Sequence, residues 1–199
     1  MKIVIQRVTH GSVEVEGTIV GEIDTGFVVL VGFTYSDTSN IIDKMIHKLI
    51  NLRIFEDENG KLNLSLKEVG GAILSISQFT LYADCKKGRR PSFTDAMNQA
   101  EANQLYTLFN QKLLDEGIRV ETGRFKEDMK VHILNDGPVT IILDSQDIMW
   151  EESNPLFNFY INPNLSFASL RVMVHSNPRV NKSIKTILCI ATLQYWWIE

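Results

Sequence analysis

The chain has 199 residues, of which 44% are hydrophobic and 22% charged, with 12 glycines, 5 prolines and only 2 cysteines. That length suits one domain, or one domain with an appendage, and the balance excludes disordered, collagen-like and disulfide-scaffold classes. A net charge of −4 and a pI near 5.6 argue against a protein that coats nucleic acid, while leaving room for a local basic patch.

The averages conceal a division. Every glycine lies at or before Gly137, whereas Pro155, Pro163 and Pro178 all follow Glu151. Residues 151–199 hold four basic and three acidic side chains, so residues 1–150 carry −5 of the net −4. Two kinds of sequence are joined here. The first seven residues alternate and end on Arg7, which reads as a first strand rather than a signal peptide. Residues 186–198 are apolar over about 13 positions, short of the roughly 20 that a bilayer span needs. Cys85 and Cys189 share no metal or redox spacing. These signs predict a cytoplasmic protein with no membrane span.

In chain order, residues 2–8 and 12–16 alternate in period two and predict a meander of short antiparallel strands. Residues 27–31 are uniformly apolar, as in a strand buried on both faces. Ser36 to Asn40 offer helix caps ahead of Ile41, Ile42, Met45, Ile46, Leu49 and Ile50, which recur at helical spacing. Residues 57–60 form a turn, and residues 72–83 a second strong strand. Ser92 or Thr94 can cap a second helix whose stripe runs from Met97 to Leu113, with Gly117 placed at its end. Strands follow at 118–121, 129–134 and 139–143. Strands, helix, strands, helix, strands is an α+β order, with helices covering one side of a sheet. Beyond about residue 146 no period of two or 3.6 is sustained. That tail reads as an appendage; the sharper alternative is an anchor to a partner or surface through Tyr195, Trp196 and Trp197.

Three stretches can carry chemistry. The 77–84 stretch switches the polarity of its two strand faces at Gln78, so that Gln78 and Thr80 face a cleft, or else a solvated strand end. Residues 135–140, Asn-Asp-Gly-Pro-Val-Thr, read by themselves as a turn. Residues 85–91 group Lys86, Lys87, Arg89 and Arg90 around Gly88, a solvated loop or a phosphate-contacting one. The chain has no G-x-S-x-G elbow, H-E-x-x-H, P-loop or Rossmann fingerprint. His10, His47, His132 and His175 are scattered, so neither a Ser-His-Asp nor a zinc mechanism is supported.

Taken together, Ser77-Gln78-Phe79-Thr80, the 87–93 run Lys-Gly-Arg-Arg-Pro-Ser-Phe and the 135–140 stretch resemble the D-aminoacyl-tRNA deacylase family. The segments at 6–8, 52–55 and 60–63 are similar to that family in the same order. The resemblance covers residues 1–147 and leaves 148–199 as a tail outside it. It implies a homodimer with a three-layer α/β/β fold, antiparallel strands and two main helices, which needs no cofactor or metal. The implied activity is hydrolysis of the ester joining a D-amino acid to the tRNA 3′ end, extending to glycyl esters mischarged on tRNA-Ala. The implied chiral filter is a cis Gly137-Pro138 unit that crosses into the partner's cleft, braced by Arg7 and flanked by Asn135. Ser77, Gln78, Phe79 and Thr80 are implied to line the pocket, with Met129 on its wall and the four cations on tRNA phosphates. Thr80 matches the family's suggested nucleophile. With no base near it in sequence, water activated by the ribose 2′-hydroxyl is the preferred agent, with Gln78 and Thr80 positioning it. Backbone N–H groups near Phe79 and Thr80 are the candidate oxyanion donors.

One departure lies inside the domain. The family's Gly-x-Phe-Gly-Ala before a Met is here Gly123-Arg124-Phe125-Lys126-Glu127, which puts the pocket wall and the substrate range in question. With the aberrant tail, it supports an alternative: a tRNA-binding or interaction module that kept the fold and lost the chemistry. A general small-ester hydrolase is a third possibility.

Overall fold

The computed structural model describes residues 1–153. Chain contacts divide the protein into two compact units, Met1–Ser145 and Gln146–Glu199. The expectations for Cys189, for the 186–198 segment and for Tyr195, Trp196 and Trp197 lie outside the described residues.

The elements in chain order are β1 (Lys2–Val15), β2 (Thr18–Ile23), β3 (Gly26–Gly32), α1 (Ser39–Ile50), β4 (Phe55–Glu56), β5 (Leu62–Leu64) and β6 (Ala72–Ser77). A single 3-10 turn, Phe79–Tyr82, then precedes α2 (Gln99–Asp115), β7 (Val120–Thr122), β8 (Lys130–Asp144) and α3 (Ser145–Ser153). The six-stranded sheet runs β2-β1-β3-β6-β7, with β8 on the other side of β1; β4 and β5 form a separate pair. The path curls until its ends meet. A Cβ placed on Gly21 of β2 would stand 2.8 Å from the Thr122 carbonyl of β7.

This is a mixed α+β fold with a nearly closed sheet; the expected antiparallel strands are those that pair with β1, but the rest of the sheet is parallel. β3 pairs parallel with β6, and β6 parallel with β7. Parallel neighbours cannot be joined by a tight turn, so each connection carries a helix: α1 between β3 and β6, α2 between β6 and β7. Residues 2–8 and 12–16 form one long strand rather than two. Its first half pairs with β3 and its second half with β2, so one strand serves two neighbours on the same side. A third helix, α3, spans the sequence boundary at 147/148 and was not anticipated.

Strand alternation divides the apolar side chains between two cores. Inside the curled sheet, Val8, Val13, Ile23, Val28, Leu74 and Ile76 form one buried cluster. The opposite face of β3 and β6 buries Phe27, Val29, Val31 and Ile73. The α1 stripe of Ile42, Met45, Ile46, Leu49 and Ile50 is buried, as are Phe109 and Leu113 of α2. Removing each such side chain from water contributes about 1.5–3 kcal/mol. Tyr106 of α2 donates its hydroxyl to the Ser75 carbonyl at 2.7 Å, fastening the helix to the central strand.

Helix α1 is capped by Thr38, whose hydroxyl accepts from the Ile41 amide at 3.4 Å. The cap of α2 is neither Ser92 nor Thr94 but Asn98, whose Oδ1 accepts from Glu101 N at 3.1 Å. The intervening residues are already committed. Met97 N donates to Phe33 O at 3.0 Å and Thr34 Oγ1 to Asp95 O at 2.6 Å, so this segment is tied to the end of β3 ahead of the helix. Gly117 follows the helix with φ +80°, as expected of a residue just past a helix end.

Candidate active site

The second strong strand ends six residues earlier than its apolar pattern suggests. β6 stops at Ser77, Gln78 turns away at φ −143°, ψ 84°, and Phe79–Tyr82 wind into the 3-10 turn. The switch of polarity at Gln78 therefore marks a change of secondary structure, not a strand leaving one environment for another. The turn presses against the end of β3, where a Cβ on Gly32 would lie 2.9 Å from the Gln78 carbonyl. Only glycine allows that approach.

Beyond this turn opens a cleft of about 740 Å³, a volume suited to a nucleoside-sized ligand. Ser77, Gln78, Phe79 and Met129, all singled out in the sequence, line it. Sequence reasoning missed Phe93, Met97, Asn98, Gln99 and Phe125, which also line it. The helical spacing of Met97 disguised its role, because the same period fits a helix stripe or a tethered segment just ahead of one. Phe79 and Phe93 meet edge-on with ring centroids 5.1 Å apart, and Phe79 is 57% exposed, a large aromatic face turned outward.

Thr80 is exposed, and its hydroxyl accepts from Gln78 Nε2. Among the described residues no carboxylate or imidazole is recorded on that hydroxyl. The first amides of a helical turn have no acceptor within it, which leaves Phe79 N and Thr80 N available to a ligand oxygen. Burial raises the pKa of the Tyr82 hydroxyl, and the Asp37 and Asp144 carboxylates raise it further. Tyr82 is a neutral phenol at ordinary pH and cannot act as a base.

The Gly137-Pro138 peptide is cis. The expected turn at 135–140 is instead an outward bulge in one continuous strand. β8 pairs with β1 as Gln6↔Thr140 on one side of the bulge and Val8↔Asn135 on the other. Four residues of β8 thus stand opposite Arg7 alone. Arg7 is 4% exposed and braces them: Nε lies 3.0 Å from Asp136 Oδ2 and donates to Asp136 O at 3.3 Å. Nη1 is anchored on Ile54 O at 2.7 Å. Asn135 closes the bulge, its Oδ1 accepting from Val139 N at 3.0 Å. Asn135, Gly137 and Pro138 do not line the 740 Å³ cleft of their own chain.

The cationic loop is a short ordered excursion. Asp84 and Ser92 bridge its base, Lys86 N donates to Asp84 Oδ1 at 2.9 Å, and Gly88 takes φ +72°. Lys86, Lys87, Arg89 and Arg90 are all exposed. His10 and His132 lie beside glutamates, away from the cleft lining. Among the described residues no group of three or more His, Cys, Asp or Glu is arranged to hold a metal.

A family model described as D-Tyr-tRNA(Tyr) deacylase matches residues 4–144. The chain belongs to this family. A family member from Bacillus licheniformis named D-aminoacyl-tRNA deacylase is 57% identical over 146 residues, covering 73% of this chain and 99% of that protein. One of the same name from Brevibacillus brevis is 54% identical over 145 residues, covering 73% of this chain and all of its own length. Among solved structures, one titled c-Myc DNA Unwinding Element Binding Protein superposes with TM-score 0.68 at 42% identity, covering 72% of this chain and 98% of its own. Another, titled a probable eukaryotic D-amino acid tRNA deacylase, shares the fold with TM-score 0.63 at 19% identity, covering 72% and 98%. The family's span ends at residue 144, one residue short of the end of the first compact unit.

Proposed function

We propose that the protein hydrolyses the ester between a D-amino acid and the 3′-terminal adenosine of tRNA, with glycyl-tRNA mischarged on tRNA-Ala as a second substrate. The observation that carries this reading is the Phe79–Tyr82 turn, whose first amides have no acceptor within it, beside a cleft of nucleoside size lined by Ser77, Gln78 and Phe79. The family membership makes the ester the bond at issue. In the reaction, water adds to the ester carbonyl and the carbonyl oxygen becomes an oxyanion facing Phe79 N and Thr80 N. Collapse of that intermediate expels the ribose 3′-oxygen, which takes a proton and leaves the free D-amino acid and tRNA. Preorganised amide donors of this kind are worth about 2.7–4 kcal/mol in comparable enzymes.

The group that activates water is the neighbouring ribose 2′-hydroxyl. The Thr80 hydroxyl has an amide rather than a base beside it, which favours a positioning role shared with Gln78. Chirality is read by exclusion. In a homodimer, the Arg7-braced bulge enters the partner's cleft, where its main chain takes the substrate amine and leaves no room for an L side chain. Its absence from its own chain's cleft favours that arrangement. Exclusion discriminates more sharply than the ~1–3 kcal/mol that one methylene supplies. Glycine has no side chain to exclude and passes. The cations of the 86–90 loop contact tRNA phosphates. The setting is cytoplasmic.

Parallel incubation with D-tyrosyl-tRNA and L-tyrosyl-tRNA tests the reading, with release from the D ester alone expected. A second reading, a nucleic-acid-binding module of the same fold without chemistry, draws on the printed name of the 42%-identical structure. Binding of tRNA with no D-selective release would establish it instead.

A further inference from the structure

Lys126 stands in the left-handed region at φ +71°, one of two non-glycine residues to do so among the described residues. For an L side chain that conformation costs roughly 1–2 kcal/mol relative to the right-handed one. Strained backbone of this kind gathers at ligand sites, where the surrounding structure holds it in place. The segment is held on both sides. Gly123 N donates to the Ser75 carbonyl at 3.2 Å, the Phe125 ring lies 5.9 Å from that of Tyr106, and Glu127 N donates to Arg124 O at 3.3 Å.

The strain places a cation where the cleft otherwise has none. Of the residues lining the 740 Å³ cleft, only Lys126, Glu127 and Asp128 are charged. Glu127 and Asp128 also line a smaller cavity of about 260 Å³ beside Glu14, Glu16 and Lys130. Lys126 lines the large cleft and not the smaller cavity. Its side chain is exposed, and no ion-pair partner is recorded for it. An ammonium with no recorded ion-pair partner, the one cation on a wall whose only other charged residues are Glu127 and Asp128, suits an anion carried by the nucleoside. It does not suit the neutral ester or the ammonium of the aminoacyl group.

Resting on the deacylase reading, we infer that Lys126 is a substrate-binding residue. It contacts the phosphodiester that joins the terminal adenosine to the nucleotide before it. The residue acts on the RNA, separately from the 86–90 loop, and takes no part in the chemical step.

Three variants test this on the full chain. Lys126→Gln should raise KM for D-tyrosyl-tRNA several-fold and leave kcat unchanged, and Lys126→Arg should restore KM. Lys126→Gly should weaken binding like the Gln variant yet raise the thermal midpoint, because glycine accepts φ +71° without strain. With deacylated tRNA as the binding probe, the slope of log K against log salt should fall in magnitude by about 0.7 in the Gln variant, the loss of one single-strand phosphate contact. With D-tyrosyl-adenosine, which lacks that phosphate, wild type and Lys126→Gln should turn over equally. An unchanged salt slope would overturn the inference, as would equal impairment on the phosphate-free ester. Lack of D-selective release by the wild type would instead overturn the deacylase reading, and the binding arm with deacylated tRNA would still decide the role of Lys126.

Discussion

At Thr80 a hydroxyl accepts from an amide and has no base beside it, which sets the size of what its loss can do. Thr80→Ala removes a positioning contact, so turnover of D-tyrosyl-tRNA should fall less than about tenfold, where loss of general-base activation typically costs about 10²–10⁴-fold. A fall of several thousandfold would return the nucleophile role to Thr80. A substrate ending in 2′-deoxyadenosine should be nearly inert with the same enzyme. Gly137 makes a different demand. Its φ is +108°, and a Cβ there would lie 2.9 Å from both Arg7 Nη2 and Val139 Cγ2. Gly137→Ala should therefore destabilise the fold by about 1–3 kcal/mol and displace the bulge from the Arg7 guanidinium. Thermal unfolding measures the first effect, and the ratio of D to L turnover the second. The family likeness implied both the Gly-Pro motif and its bracing by Arg7, but not the atoms that do it, the Asp136 carbonyl and carboxylate on one side and the Ile54 carbonyl on the other.

Among the elements, α2 shows how a functional demand moves a boundary. The helical spacing begins at Met97, but hydrogen bonds to Phe33 and from Thr34 tie residues 95–97 to the end of β3, behind a tight turn closed by Ala96 N on Phe93 O at 3.1 Å. The helix begins only where Asn98 can cap it, and those same tethered residues become one wall of the cleft. Asn98→Ala should cost about 1 kcal/mol of stability, the usual value of such a cap. Because Asn98 also lines the cleft, KM should rise alongside the fall in thermal midpoint. A change in stability with KM unmoved would confine Asn98 to capping. β6 shows the same principle from the other side. Its apolar run predicts a strand to residue 83, yet the chain leaves at Gln78 because Gly32 admits the turn against the end of β3.

For the whole molecule, the long edge strand β8 matters most. It pairs with β1 alone among the described strands, and Leu134 and Ile142 are 61% and 69% exposed along it. Exposed apolar side chains on a free edge invite pairing with another chain. If the Gly137-Pro138 bulge works in a partner's cleft, activity depends on that pairing. Wild type should sediment as a two-chain species. The double substitution Leu134→Glu, Ile142→Glu should give single chains that retain the helical and strand signal and lose D-selective release. Single chains with undiminished activity would separate the filter from dimerisation.

The sequence by itself determined the elements whose signals are local. These are the apolar strand 27–31, the start at residue 72 of the strand read as far as 83, the α1 stripe, the end of α2 at Gly117, and the three motifs that carry the family likeness. It also pointed to two kinds of sequence, through glycine usage that stops at Gly137, a charge balance that changes after residue 150 and a family likeness read as far as 147. Tertiary structure alone decided that β3, β6 and β7 run parallel, because strand direction depends on crossovers between distant segments rather than on any local period. It likewise decided that the 135–140 stretch bulges from one strand, since register comes from the partner β1, and that Met97 faces a cleft rather than a core. Lys126 belongs to both accounts. The sequence placed a charged residue where the family pattern has glycine, and only the folded backbone shows that this residue holds the left-handed conformation glycine would favour.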